Sequence, residues 1–268
     1  MNQLSVLFGV VNYEFRMQIR RRALWIAFLL FTLLISGVFR GRAGLFYYIL
    51  TNPEHTPLLR LVVTWTNEMN TFFPIIVGVL LADRLSRDRR TRVDELFTSM
   101  PGSLSIRLVG KYLGCTCATL LPLLAYYNIG IAGILYQTHN IQAIPLAIET
   151  FAAIMLPGIL FISAFSIACT AILWVPLYQF LFIGYWFWGN LLSPGHGIPT
   201  ISDTILTPIG SYISAGLFGG DIFQAQDGIY GIHPTALQGV ESMFLLLGIS
   251  VFVMFVLWSY LKWEQARL

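Results

Sequence analysis

Apolar residues along this chain fall into six long runs, 23–39, 61–82, 108–135, 151–175, 177–192 and 237–261. A helix of roughly 20 mostly apolar residues crosses a bilayer core of about 30 Å, so each run predicts a transmembrane helix, the first and fifth being short. The fourth and fifth runs are nearly continuous. They divide at Trp174-Val175-Pro176, because proline suits the first turn of a helix and disrupts its interior. Ahead of the first run the pattern changes. Leu4, Phe8, Val11, Phe15 and Ile19 recur at spacings of four and three on one helix face, while Ser5, Asn12, Arg16 and Arg20 lie on another. An apolar side in the acyl boundary with arginines among lipid headgroups describes an interfacial helix over 1–22. No small-residue cleavage site follows the first run, so it is expected to be a retained span and not a secretory signal. Between the last two runs, 193–236 is rich in glycine and proline yet still apolar. Its stretches 198–205 and 209–218 are too short to span; they suit either short helices dipping into the outer leaflet or a folded loop outside it.

Composition strengthens this pattern. Apolar residues make up 56% of the chain and charged residues 11%, with a mean hydropathy of +0.71; soluble domains carry about 25% charged residues. The cations are distributed asymmetrically, and none lies between Lys111 and Lys262. With the N-terminus inside, thirteen of the sixteen Lys and Arg residues fall on the inner side, leaving only Arg40, Arg42 and Arg60 outside. This is the positive-inside arrangement, with both termini cytoplasmic. The net charge of +3 reflects that asymmetry and calls for no nucleic-acid partner, since no stacking platform or extended basic face accompanies it.

The inner loop between the second and third spans, 83–107, carries mixed charge. Five of its six arginines, Arg84, Arg87, Arg89, Arg90 and Arg92, alternate with Asp83, Asp88, Asp94 and Glu95. A loop that only anchors topology has no need of acids, whereas a surface docking reversibly on a protein gains from both signs around an apolar centre. Thr91 followed by Asp94 resembles a helix start, Val93, Leu96 and Phe97 form an apolar ridge, and Pro101-Gly102-Ser103 ends it.

At these residues the sequence resembles the permease subunits of type-2 ATP-binding-cassette (ABC) exporters. The shared elements are Arg87-Asp88-Arg89-Arg90-Thr91, then Asp94-Glu95-Leu96-Phe97-Thr98-Ser99-Met100-Pro101, then Arg107 and Gly110-Lys111. Arg90 stands where the family usually has a glycine. Tyr13-Glu14-Phe15-Arg16, followed by Arg20-Arg21-Arg22, is similar to the amphipathic lead-in helix of such permeases. The resemblance implies an all-α membrane protein with six transmembrane helices forming one permease domain over 1–268. It further implies an N-terminal interfacial helix, a cytoplasmic coupling helix over 91–98, and paired re-entrant helices within the extracytoplasmic segment 193–236. It implies docking on a separate ABC ATPase, two copies per complex, through Thr91, Asp94, Glu95, Leu96, Phe97 and Pro101. A second permease, identical or homologous, completes the pathway in a bacterial or archaeal cytoplasmic membrane. ATP and Mg are used by the partner, because this chain has no G-x-x-x-x-G-K-[ST] loop of its own and binds no cofactor directly.

Ionisable and polar groups within spans mark candidate pathway or gate residues. Glu68, with Asn67 and Asn70, lies about two turns inside the outer end of the second span. Glu149 and Glu241 near outer ends suit pairing with Arg40, Arg42 or Arg60. The four histidines lack ligand spacing, so no metal site is expected. Cys115, Cys117 and Cys169 suit small apolar packing. Tyr185-Trp186-Phe187-Trp188 reads as an interfacial aromatic belt, and Pro74, Pro122 and Pro157 are expected to kink their spans. An embedded enzyme would need polar catalytic groups clustered at one depth, and no H-E-x-x-H pair or facing Glu/His set occurs in the spans. A secondary transporter would show repeated interrupted helices, and the two halves share no evident repeat.

Overall fold

A computed structural model describes residues 3–41, 56–90, 103–192, 200–202, 204–219 and 234–267. Every regular element among them is helical: α1 (Gln3–Ile19), α2 (Arg22–Gly41), α3 (Leu58–Arg90), α4 (Leu104–Thr138), α5 (Ala143–Thr150), a π-helical turn (Phe151–Met155), α6 (Leu156–Cys169), α7 (Val175–Leu191), α8 (Ser211–Phe218) and α9 (Ala236–Arg267). Four stretches are long and apolar enough to cross a membrane: Leu58–Arg87, Leu104–Thr138, the continuous Ala143–Cys169, and Ala236–Arg267. They fall at the expected second, third, fourth and sixth spans. The other two expected spans coincide with shorter helices, α2, whose described apolar part is Arg22–Leu34, and the 17-residue, aromatic-rich α7. This is the composition of a membrane protein, with α3 at its centre. Of its spanning window 72% is buried, against 28% for α9, which leaves α9 at the periphery.

Several boundaries differ from the sequence reading, each for a physical reason. α3 continues past 82 to Arg90, because Leu85 packs inside and the Arg84 charge is paired within the protein. α4 begins at Leu104, where the Ser103 side chain accepts the Ile106 N–H at 3.3 Å. The expected loop 83–107 is therefore helical at both ends, over 83–90 and 104–107. The break between the fourth and fifth runs falls where expected: α6 ends at Cys169 and α7 starts at Val175, with Pro176 in its first turn.

Of the two short outer stretches, 209–218 becomes α8, bounded by Gly210 (φ +78°) and Gly219 (φ +60°), left-handed positions that suit glycine. The described residues of 198–205 form turns and bends instead of a helix. The helix continues through Pro74 and through Pro122. Pro157 instead follows the π-helical turn, in which the Leu156 N–H reaches back to the Phe151 carbonyl. The wider turn accommodates a residue that has no N–H and whose ring would crowd the carbonyl four residues back.

Close approaches to α3 set its surroundings. A Cβ on Gly130 would lie 2.1 Å from the Trp65 ring, whose Nε1 donates to the Tyr127 carbonyl at 3.0 Å. Trp186 is only 1% exposed and donates from Nε1 to the Thr71 carbonyl at 2.8 Å, so it anchors α7 to α3 and is not part of an interfacial belt. Tyr185, Phe187 and Trp188 on the same helix are exposed, as that reading expected.

Candidate functional site

The first helix carries a face that its amphipathic pattern does not announce. Leu4 and Phe8 are exposed, as a lipid-facing stripe should be, and Ser5, Asn12 and Arg16 are exposed on the polar side. Val10, Glu14 and Gln18, spaced at i, i+4 and i+8, lie on a third face, and Val10 and Glu14 pack on α4. What permits the contact is a notch of two glycines one turn apart. A Cβ on Gly110 would meet Val10 Cγ1 at 2.6 Å; one on Gly114 would meet the Val11 carbonyl oxygen at 2.6 Å and Glu14 Cβ at 2.7 Å. The helices thus meet backbone to backbone, and this brings the Glu14 carboxylate inside.

There it joins charged residues from two other helices. Glu14 Oε2 lies 2.9 Å from Arg84 Nη2 of α3, and Glu14 Oε1 lies 3.4 Å from Lys111 Nζ of α4. Cys115, one turn beyond Lys111, sits between them: Arg84 Nε donates to its sulfur at 3.2 Å, and its thiol donates to Glu14 Oε2 at 3.6 Å. Glu14 and Arg84 are each 1% exposed, Cys115 is fully buried and Lys111 is 9% exposed. A single carboxylate therefore serves two buried cations. Removing one member of such a cluster leaves an uncompensated buried charge, which is why breaking a buried pair costs much more than its net contribution. Cys115 is part of this polar cluster, in place of the apolar packing expected of it.

A second, outer pair flanks the cluster. Arg21, at the corner between α1 and α2, reaches Asp83 at 3.4 Å, with side chains 25% and 40% exposed. Burial and then the neighbouring Arg84 and Arg87 cations lower the Arg21 pKa from its ordinary value, partly offset by Asp83. An ion pair this exposed is worth at most about 1 kcal/mol. Together the two pairs fasten α1 to α3 and α4 immediately beside the segment connecting those helices.

That segment holds the residues expected to dock an ATPase: Thr91, Asp94, Glu95, Leu96, Phe97 and Pro101 lie outside the described residues. The helices on either side of it each carry one cation of the Glu14 cluster. Arg84 stands six residues before the end of α3 and Lys111 seven after the start of α4, about 9 and 10 Å along their helix axes.

The three candidate pathway residues of α3 do not form one set. At 100° per residue, Asn67 and Asn70 share a face, and Glu68 lies about 160° away from Asn70. Asn70 is fully buried and acts as a clamp: its Nδ2 donates to the carbonyls of Ile209 (2.7 Å), Pro208 (3.1 Å) and Ile154 (3.3 Å), the last in the π-helical turn. Gly158 completes the seat, since a Cβ there would lie 2.3 Å from the Pro208 oxygen. Asn67 is 1% exposed, and its carboxamide has no hydrogen-bond partner among the described residues. Glu68 is half-buried. Glu149 and Glu241 are exposed and form no ion pair among the described residues; Glu241 edges an open, largely apolar groove along α9 with Phe244 and Phe252. No group of three or more potential metal ligands occurs among the described residues.

Sequence reasoning missed the role of Glu14 and Arg84 in this cluster. A signal was present, because Glu14 is the only acidic residue before Glu54 in a strongly basic lead and lies four residues from Val10 and Gln18. No protein-family model matches the chain, and no curated protein matches it either.

Proposed function

We propose that this chain is the transmembrane subunit of an ABC exporter, forming half of a substrate pathway and coupled to ATP hydrolysis by a separate ATPase. In this reading α2, α3, α4, α5–α6, α7 and α9 are six spans with both termini cytoplasmic. The segment 91–98 is the coupling helix, and Asp94, Glu95, Leu96 and Phe97 make its docking surface. ATP and Mg are bound by the partner, and a second permease, identical or related, supplies the other half of the pathway.

The observation that carries the reading is the Glu14 cluster. A coupling segment transmits force only if its two stems move together, and Glu14 ties a cation on each stem, Arg84 and Lys111, to one carboxylate on α1. A push on 91–102 would thereby move α1, α3 and α4 as one body against the rest of the bundle. Alternating exposure would follow at the permease–permease interface as the ATPase dimer closes and opens. In the outer half of α3, Asn70 holds the π-helical turn, an irregularity of a kind found frequently at functional sites. The apolar, cation-free second half suits a lipid, peptide or hydrophobic drug better than a polyanion.

Affinity purification of the tagged chain in mild detergent, followed by mass spectrometry, tests the reading. A stoichiometric subunit bearing a phosphate-binding loop is expected. Its reproducible absence from a folded, monodisperse preparation would favour a self-contained transporter or a membrane-embedded enzyme.

A further inference from the structure

The corner between α1 and α2 borders a half-open cavity of about 320 Å³ that the coupling account does not use. Its walls come from three places: Gln18 and Arg21 at the corner, Asp83 with aliphatic side chains of α3, and Val175 and Pro176 in the first turn of α7. Three features make it a site for an anion. Arg21 supplies a guanidinium that is only partly covered. Gln18 is 1% exposed; its Oε1 accepts from Arg21 Nη1 at 3.4 Å, and its Nε2 donor is buried with no partner among the described residues. A buried donor left unsatisfied is costly, and a ligand that accepts from it removes that cost. The first turn of α7 has no side-chain cap and lines the same wall through Val175 and Pro176; proline has no N–H, so the positive end of this 17-residue helix is offered there by the Val175 N–H. Asp83 offsets one charge, while Arg84 and Arg87 lie near enough to Arg21 to act on it.

The remaining wall is aliphatic, from Ala23 and Leu24 of α2 and Val79 and Leu80 of α3. Next to Leu24 in the chain, Trp25 is exposed, a residue type enriched at membrane interfaces, with its Nε1 donating to the Ile19 carbonyl at 2.8 Å. We infer that the cavity binds the headgroup phosphate of one anionic phospholipid, with Arg21, the Gln18 carboxamide and the α7 N-terminus as donors and the aliphatic wall receiving the start of an acyl chain. This depends on the chain lying in a membrane and not on its having an ATPase partner. A bound lipid would stiffen the corner through which α1 joins the spans.

Native mass spectrometry of the full chain in mild detergent, supplied with phosphatidylglycerol or phosphatidylcholine, tests the site. One retained phosphatidylglycerol per chain, in preference to phosphatidylcholine, is expected. Retention should fall about tenfold in Arg21→Gln and in Gln18→Glu, the second placing a carboxylate at nearly constant volume where the phosphate would sit. Arg22→Gln removes the same charge from an exposed neighbour and should leave retention unchanged, with all variants monodisperse. Equal retention in every variant, or an equal loss in Arg22→Gln, would overturn the site. Retention of inorganic phosphate by lipid-free protein, with no phosphatidylglycerol retained, would overturn the lipid assignment.

Discussion

Glu14 and Arg84 are seventy residues apart in the chain, yet their side chains meet at 2.9 Å with 1% of either exposed to solvent. One carboxylate on α1 thereby neutralises a cation on α3 and lies 3.4 Å from Lys111 on α4. Glu14→Gln should destabilise the protein by about 3–5 kcal/mol, because it takes the carboxylate away from the buried Arg84 guanidinium. Replacing all three groups, as Glu14→Leu, Arg84→Met and Lys111→Met, should recover much of that loss, since an apolar cluster needs no charge pairing. Thermal unfolding of the purified variants measures both; equal stability of Glu14→Gln and the parent would remove the cluster from the core.

The glycine notch gives a graded test of how α1 is seated. At Gly110 an added methyl meets Val10 Cγ1 at 2.6 Å, which can turn away, and Val10 Cβ at 2.9 Å, which cannot; at Gly114 it meets the Val11 backbone oxygen and Glu14 Cβ at 2.6 and 2.7 Å, neither of which moves without shifting the helix. Gly114→Ala should therefore cost more than Gly110→Ala, in the range of about 1–3 kcal/mol expected of overpacking. Limited trypsin digestion at Arg16 and Arg20 should speed up in the first variant well before the second.

Cys115 offers a reporter of the same contact. In a chain with Cys117→Ala and Cys169→Ala, the remaining thiol is enclosed by Arg84 and Glu14 and should resist a maleimide. Glu14→Gln should expose it to the reagent. Rapid labelling of the parent under native conditions would mean that the cluster is open.

Asn70 holds three backbone carbonyls with one amide nitrogen, so Asn70→Asp should be worse than Asn70→Ala. The acid replaces a donor by an acceptor against three acceptors, whereas alanine leaves room for water. Hydrogen exchange at 204–214 and in the π-helical turn should accelerate in that order, with losses of about 1–3 kcal/mol.

How much of this was legible in the sequence depends on the range of the interaction. Pro176 fixed the start of α7 because proline acts on its own turn, and Ser211–Phe218 emerged as a helix because two glycines bound it locally. Glu14 was visible as a lone acid in a basic helix, but its partners are 70 and 97 residues away, and periodicity assigns a face without naming what covers it. Trp186 failed for the same reason. Three of the four aromatics at that end are exposed as a belt should be, and only the packing of α7 on α3 turns the fourth inward. The end of α3 was misjudged at residue 82 because a run of charges looks solvated until a buried carboxylate is found for Arg84.

Charge reversal of the proposed docking surface, Asp94→Lys with Glu95→Lys, should leave membrane insertion unchanged and weaken association with an ATPase. The expectation rests on mixed charge in a segment whose stems are locked together; unchanged co-purification would take these residues out of the docking role.

The most direct test is a cross-link from the coupling segment itself. Asp94→Cys in the chain carrying Cys115→Ser, Cys117→Ala and Cys169→Ala would carry a short photoreactive group in native membranes, before and after addition of ATP. The account predicts a cross-link from residue 94 to a separate subunit that bears a phosphate-binding loop, with a yield that changes on ATP. A folded chain that gives only lipid adducts, or cross-links to proteins without such a loop, would contradict it.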